Sequence, residues 1–168
     1  MHEHTGRFHI ILLSFDWIDF TILTLILIPV VIFDLREKRI PDLYVLPGIC
    51  IFLIKRIAES EFPIYTIIIT GAVGFIFIFF LSVLSRGKIG VGDAKLSALI
   101  ALALGLKLWM AAIFIASFTG VVFALVMIAL RKMSWKTRLP FAPFLALGSM
   151  VPFFLEDLAF LRILSLYS

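Results

Sequence analysis

Charged residues are scarce in this sequence, and their scarcity excludes most soluble proteins. Only 15% of the 168 residues are Asp, Glu, Lys or Arg, whereas 62% are hydrophobic, and the mean hydropathy is +1.16. A water-soluble domain of this size needs more polar surface to cover its core. The composition therefore predicts a chain embedded in a membrane and excludes a water-soluble enzyme.

Cysteine and metal-binding patterns are also nearly absent. The one cysteine, Cys50, can form neither an intrachain disulfide nor a cysteine-based zinc site by itself, and its apolar surroundings predict a small buried side chain. His2, His4 and His9 lie in a polar tail without further ligands at a fixed spacing, so we expect no metal site there. No nucleotide-binding loop or other cofactor motif is present, and we expect no cofactor.

Six apolar segments are candidates for membrane-crossing helices, which need roughly 20 largely apolar residues. They predict an all-α, polytopic membrane protein with about six transmembrane helices, although the second and fourth segments are short. No repeat or linker divides the chain, so we predict one membrane-embedded domain over residues 1–168, with a polar N-terminal tail over residues 1–16. The segments are 17–36, 44–57, 64–84, 94–106, 108–130 and 139–161.

Lysine and arginine are unevenly distributed among the predicted loops. Positively charged loops resist translocation, so the first, third and fifth loops should face the cytoplasm and both termini should be extracytoplasmic, in a cytoplasmic membrane. These loops also favour contact with anionic membrane lipid, and the net charge of +4 needs no nucleic-acid partner. They hold ten of the 15 basic residues: Arg36, Lys38, Arg39, Arg86, Lys88, Lys95, Arg131, Lys132, Lys136 and Arg138.

Two acids stand at the cytoplasmic ends of predicted helices. The apolar run before Asp34 covers only residues 20–33, which is too short to span a membrane unless the helix continues past the acid. Such a continuation would hold Asp34 at or inside the membrane boundary. A charged carboxylate at the bilayer centre costs about 2.5–3.5 kcal/mol, which makes such an acid a functional candidate. Asp93 follows Gly90 and Gly92, which permit a tight turn and close backbone approach. If a helix starts at Asp93, its carboxylate could instead be an ordinary N-cap.

The predicted topology places Asp34 and Asp93 at the same membrane face. Two convergent carboxylates can share one proton, which leaves one acid ionised and the other protonated. An ionised acid can activate water while a protonated acid polarises a carbonyl, so the pair could hydrolyse a peptide bond without a metal. A small proton- or cation-coupled membrane transporter could use the same acids, and that alternative stays open.

A family resemblance rests on three blocks of residues: Asp34-Leu-Arg-Glu-Lys-Arg-Ile-Pro41-Asp42, Gly90-Val-Gly-Asp93-Ala-Lys95-Leu96 and Pro140-Phe-Ala-Pro-Phe-Leu145. In this order and spacing they resemble the type IV prepilin and preflagellin peptidases, the GxGD class of membrane aspartyl proteases. The resemblance implies the GxGD aspartyl protease architecture, with Asp34 and Asp93 as the catalytic pair. It also implies that the substrates are prepilin-like proteins, whose leader peptides are cleaved at the cytoplasmic membrane face.

The resemblance is closest to a short, peptidase-only form. Bifunctional bacterial members have an additional N-terminal region with a four-cysteine zinc site and N-methyltransferase activity, so we expect cleavage here without N-methylation. Lys95 could orient an acid or bind a lipid phosphate, but basic residues at cytoplasmic helix ends are more often simple orientation signals. Six further residues are assigned to substrate binding or structural support: Gly90, Gly92, Lys95, Pro41, Pro140 and Pro143.

Overall fold

The computed structural model describes residues 17–59, 63–84, 90–132, 139–152 and 154. All regular secondary structure within these residues is helical, which confirms the predicted all-α class. The predicted polar tail of residues 1–16, with its three histidines, lies outside the described residues. Within the described residues five helices follow one another: α1 (Trp17–Glu37), α2 (Asp42–Glu59), α3 (Ile64–Leu84), α4 (Val91–Ala129) and α5 (Ala142–Pro152).

Helix α4 consists of two arms that fold back on each other at Gly105. This glycine has φ 76° and ψ 164°, a conformation that residues with a side chain rarely adopt. The Trp109 Nε1–H group donates a hydrogen bond of 3.0 Å to Ser97 Oγ. In an uninterrupted helix these two residues would lie about 18 Å apart along the axis, so the bond requires the second arm to turn back along the first. The fourth and fifth predicted segments correspond to these two arms.

Three of the described helices are long and apolar enough to cross a membrane, namely α1, α3 and α4. Helix α3 exposes large apolar side chains such as Ile68, Ile76 and Phe80, which suit contact with lipid rather than water. The protein is therefore a membrane protein, as its composition predicts. The arrangement of six spans stays a prediction, and the part of the last predicted segment beyond residue 154 lies outside the described residues.

The first arm of α4 forms the centre of the helical core. Most of its side chains are buried, among them Leu96, Leu99 and Ile100, because the other helices surround it. Gly74 of α3 brings the two backbones together, since a methyl group at position 74 would lie 2.6 Å from the Cβ of Ala101. Small residues allow such close helix contacts within membranes. Asp93 lies in the first turn of this arm, so the packing of the arm positions that acid.

The far end of the first arm is closed by a buried charge cluster. Asp19, in the first turn of α1, forms an ion pair with Lys55 of α2, and its Oδ2 lies 3.9 Å from Arg56 Nη2. Arg56 also donates hydrogen bonds to the carbonyl groups of Leu102, at 3.1 Å, and of Ala103. These carbonyl groups need outside partners because the helix breaks shortly after them. The cluster thereby ties α1, α2 and α4 together.

Cys50 is exposed, so the predicted burial of its side chain is wrong. It lies on the outer face of α2, in line with the exposed residues Leu43, Leu46 and Ile54. Positions three and four residues apart share one face of a helix. The apolar neighbours of Cys50 in the sequence therefore belong to the lipid-facing surface and not to the protein core.

We expect Gly105→Ala to destabilise the protein by about 1–3 kcal/mol, because the backbone conformation at this position is nearly restricted to glycine. No atom lies within 4 Å of the added methyl group, so the cost comes from backbone strain. Gly120→Ala is the matched control, since its nearest atom is at 3.6 Å and alanine favours a helix. Denaturation in detergent measures both variants, and equal stability would contradict strain at Gly105.

Candidate active site

Asp34 lies in the last turn of α1, and only 5% of its surface is exposed. The helix continues past it to Glu37, as the short apolar run before Asp34 requires. The Asp34 Oδ2 atom accepts a hydrogen bond of 3.0 Å from the backbone N–H of Ala142. Ala142 is the first residue of α5, where N–H groups have no acceptor within the helix and negative charge is favourable. The contact joins the end of α1 to the start of α5.

Asp93 is the third residue of α4, and its carboxylate turns back over the helix start. The N-cap is Gly90, whose backbone is extended, with φ −80° and ψ 153°. The Gly90 N–H donates a hydrogen bond of 2.8 Å to Asp93 Oδ2, and the Asp93 N–H donates one of 3.1 Å to the Gly90 carbonyl. The helix begins at Val91, three residues before the predicted apolar segment of residues 94–106. Asp93 stabilises the helix start from its third position and is not the N-cap.

Both acids line one open cavity of about 390 Å³, at the end of the molecule opposite the Asp19 cluster. Asp93 is nearly as buried as Asp34, with 7% of its surface exposed. Among the described residues, no three His, Cys, Asp or Glu side chains are placed to hold a metal ion. The cavity is lined by Asp34, Lys38, Arg39, Ile40, Asp42, Gly90, Val91, Gly92, Asp93, Lys95, Leu139, Pro140 and Phe141.

Gly92 lies against Ile40, a residue of the loop between α1 and α2. A methyl group at position 92 would lie 2.8 Å from Ile40 Cβ, closer than such atoms approach in proteins. Glycine therefore allows the loop to contact the first turn of α4 directly. Because Asp93 is the next residue, the contact between Gly92 and Ile40 also helps to fix the position of the Asp93 carboxylate.

Lys95 is bound to Asp42, the first residue of α2. Its Nζ atom donates to both carboxylate oxygens of Asp42, each at 2.7 Å. The two side chains are 32% and 52% exposed, so the ion pair lies on the rim of the cavity. Lys95 thus has a defined partner on another helix, which a simple orientation signal would not require.

The three prolines assigned from the sequence all lie at helix starts. Pro41 precedes α2, and its carbonyl accepts a hydrogen bond of 3.3 Å from the Tyr44 N–H. Pro140 lines the cavity just before α5, and Pro143 follows the first residue of that helix. Proline suits a helix start because its missing N–H is not needed there. Within the described residues Pro41 and Pro143 do not line the cavity, so they support the helices around it.

Residues 21–125 match the Type IV leader peptidase family, a range that holds more than half of the chain and both acids. The chain belongs to the Type IV leader peptidase family. It is 29% identical over 137 residues to the prepilin leader peptidase/N-methyltransferase of Bacillus subtilis, covering 79% of this chain and 53% of that protein. It is 29% identical over 148 residues to the protein of the same name from Xanthomonas campestris pv. campestris, covering 84% and 52%.

This member of the Type IV leader peptidase family spans about half the length of the two curated relatives it matches. No solved structure matches the chain. Sequence reasoning missed the structural roles of Ile40 and of the Ala142 N–H, and it did not pair Asp42 with Lys95. Ile40 and Asp42 flank Pro41, so their place in the first block was an available signal. Nothing in the sequence marks the N–H group of Ala142 as a partner of an acid.

Proposed function

We propose that this protein is an aspartyl endopeptidase that removes the leader peptide of prepilin-like precursors. Membership of the Type IV leader peptidase family and the names of the two relatives support this reaction and this class of substrate. The observation that carries the assignment to particular residues is the cavity shared by buried Asp34 and Asp93. The proposed substrates are pilin, pseudopilin and flagellin-like precursors.

The two acids divide the chemistry of hydrolysis in this mechanism. One carboxylate is ionised and takes a proton from the attacking water, and the other is protonated and polarises the scissile carbonyl before it helps to protonate the leaving amine. In this mechanism the two buried acids that line the cavity share one proton, because two negative charges in one site repel each other where water is scarce. A backbone N–H from Ala142 orients Asp34, and one from Gly90 orients Asp93.

The cavity has a charged rim beside apolar helix faces, which matches a substrate whose apolar helix is joined to a polar leader. Exposed Lys38 and Arg39 and the pair of Lys95 with Asp42 surround the acids, whereas the outer helix faces are apolar. A substrate helix in the bilayer would bring its cleavable bond to this boundary. We also propose that anionic lipid headgroups contact the basic residues at this end of the molecule.

The proposed topology places the cavity at the cytoplasmic face of one membrane-embedded domain. The end of α1 and the starts of α2, α4 and α5 surround the cavity, whereas the start of α1, the end of α2 and the turn at Gly105 lie near the Asp19 cluster. The described helices therefore alternate in direction, which supports the six predicted crossings. Because Arg36 at the end of α1 and Lys38 and Arg39 in the following loop are basic and lie at or beside the cavity, this end should face the cytoplasm and both termini the other side.

Cysteine labelling tests the proposed topology. In a Cys50→Ala background, Lys38→Cys, Lys88→Cys and Lys136→Cys should react with an impermeant thiol reagent only after the cells are permeabilised, because their loops face the cytoplasm. Glu59→Cys should react in intact cells. Labelling of any basic loop from outside would contradict the topology.

Cleavage by purified protein tests the proposed activity. In liposomes that contain a prepilin-like precursor, we expect the leader to be released and the new N-terminus to carry an unmethylated amine, measured by mass spectrometry. Methylation is not expected, because the single cysteine cannot supply the four-cysteine zinc site that the family resemblance associates with it. If the protein cleaves none of the three precursor classes, the proposed function is wrong. A methylated product would contradict the peptidase-only form.

A further inference from the structure

The loop at residues 38–41 joins α1 to α2, and the loop and the first residue of α2 are fastened to the start of α4 at two points. At the first point Ile40 lies against Gly92, where no methyl group would fit. At the second point Asp42 binds Lys95 through both carboxylate oxygens, each at 2.7 Å. Asp93 lies between these two points on α4. The loop and the catalytic acid of the proposed mechanism are therefore connected on both sides of the acid.

We propose that the ion pair between Asp42 and Lys95 is a clasp that positions Asp93 for catalysis. The clasp holds the loop against the first turn of α4 and so keeps the carboxylate of Asp93 in place relative to Asp34. This inference rests on the proposed peptidase function and adds two positioning residues to it. Neither residue has to contact the substrate for the clasp to act.

Lys95 acts on Asp93 through the backbone and not through direct contact. Residues two apart on a helix do not face each other, and the ammonium group of Lys95 is bound to Asp42. Among the described residues, the acid that Lys95 contacts is Asp42. In the part of the chain that the structure describes, the other charged groups that line the cavity are Asp34, Lys38 and Arg39, and the lining residues just before α5, Leu139, Pro140 and Phe141, are uncharged.

Because the clasp is exposed to water, its loss should affect catalysis more than the stability of the fold. Water reaches both side chains, at 32% and 52% exposure, so the pair contributes little to the free energy of unfolding. Catalysis is far more sensitive, because a displacement of about 1 Å in a reacting group can cost about 10²-fold in rate. Loss of the clasp should therefore lower kcat strongly and leave the unfolding midpoint nearly unchanged.

Steady-state kinetics on a prepilin-like precursor test the clasp. Lys95→Met and Asp42→Ala should each lower kcat by about tenfold or more, with KM within about twofold of the wild-type value. The double variant should be no worse than either single variant, because both remove the same contact. Lys95→Arg and Asp42→Asn can still form a hydrogen bond and should keep most of the activity. If the kcat losses of the two single variants multiply in the double variant, or if the variants change only KM, the clasp proposal is wrong.

A second measurement does not depend on cleavage. In a Cys50→Ala background, Asp93→Cys places a thiol in the cavity. Adding Asp42→Ala should speed the reaction of this thiol with a small water-soluble reagent by about threefold or more, because the loop at residues 38–41 is no longer held against the first turn of α4. Glu37→Gln is the control, since this exposed acid lies outside the cavity lining.

The two measurements separate the clasp from the proposed function. Faster labelling with a wild-type protein that cleaves no precursor would refute the peptidase function and retain the clasp. An active wild-type protein whose labelling and kcat are unaffected by Asp42→Ala would refute the clasp and retain the peptidase function.

Discussion

Asp34→Asn and Asp93→Asn should each lower precursor cleavage by about 10³- to 10⁴-fold, to the background rate. Hydrolysis by a carboxyl pair needs one ionised and one protonated acid, and asparagine can neither take up nor release the required proton. Because the two acids act as one unit, the double variant should be no less active than either single variant. The measurement is kcat on a prepilin-like precursor at matched membrane abundance.

Asparagine is the informative substitution because both acids also have structural contacts. Asp34 accepts a hydrogen bond from the Ala142 N–H, and Asp93 accepts one from the Gly90 N–H. The side-chain oxygen of asparagine can accept the same bonds, and asparagine is about as good as aspartate at a helix start. The variants should therefore remain folded and inserted. If the acids serve only to stabilise the starts of α4 and α5, cleavage will survive the change.

The control for this experiment is Glu37→Gln, which removes an exposed acid one turn after Asp34 on the same helix. It should cleave at the wild-type rate. A chelator should leave the wild-type rate unchanged, because the proposed mechanism assigns no step to a metal. Substantial cleavage by either asparagine variant, or inhibition by the chelator, would refute the paired-acid mechanism. If the protein were instead a proton- or cation-coupled transporter, the wild-type protein itself would not cleave the precursor.

The common location of the two acids could be predicted because it depends on long patterns in the sequence. Apolar runs give the helices, and successive membrane-crossing helices alternate in direction, so the end of the first helix and the start of the fourth lie on one side. The structure places Asp34 and Asp93 at one cavity. The turn at Gly105 was also predictable in outline, since a boundary between two segments was expected beside it. Its backbone angles were not.

The contacts of the acids could not be predicted, because they join residues that no local pattern relates. The N–H that binds Asp34 belongs to a residue 108 positions later. The clasp joins Asp42 to a lysine 53 positions away. The error at Cys50 has a different cause. In a membrane protein both the core and the lipid-facing surface are apolar, so apolar neighbours in the sequence do not distinguish burial from exposure to lipid.

Gly92→Ala should lower kcat by about 10- to 100-fold in a protein that still folds. The added methyl group would lie 2.8 Å from Ile40 Cβ, an atom attached directly to the backbone that no side-chain rotation can move away. The loop or the first turn of α4 must therefore shift, and Asp93 is the next residue in that turn. The effect should appear in kcat more than in KM, because the displaced group belongs to the catalytic pair.

Second-site substitutions at Ile40 test this cause. Ile40→Gly removes the obstructing Cβ and should restore part of the kcat of Gly92→Ala, whereas Ile40→Ala retains that atom and should restore little. Gly120→Ala is the matched control elsewhere in α4, because its nearest atom is 3.6 Å away, and it should cleave at the wild-type rate. Wild-type kcat in Gly92→Ala would show that the contact does not position Asp93. Equal rescue by Ile40→Ala and Ile40→Gly would show that the loss does not arise from the clash at Cβ.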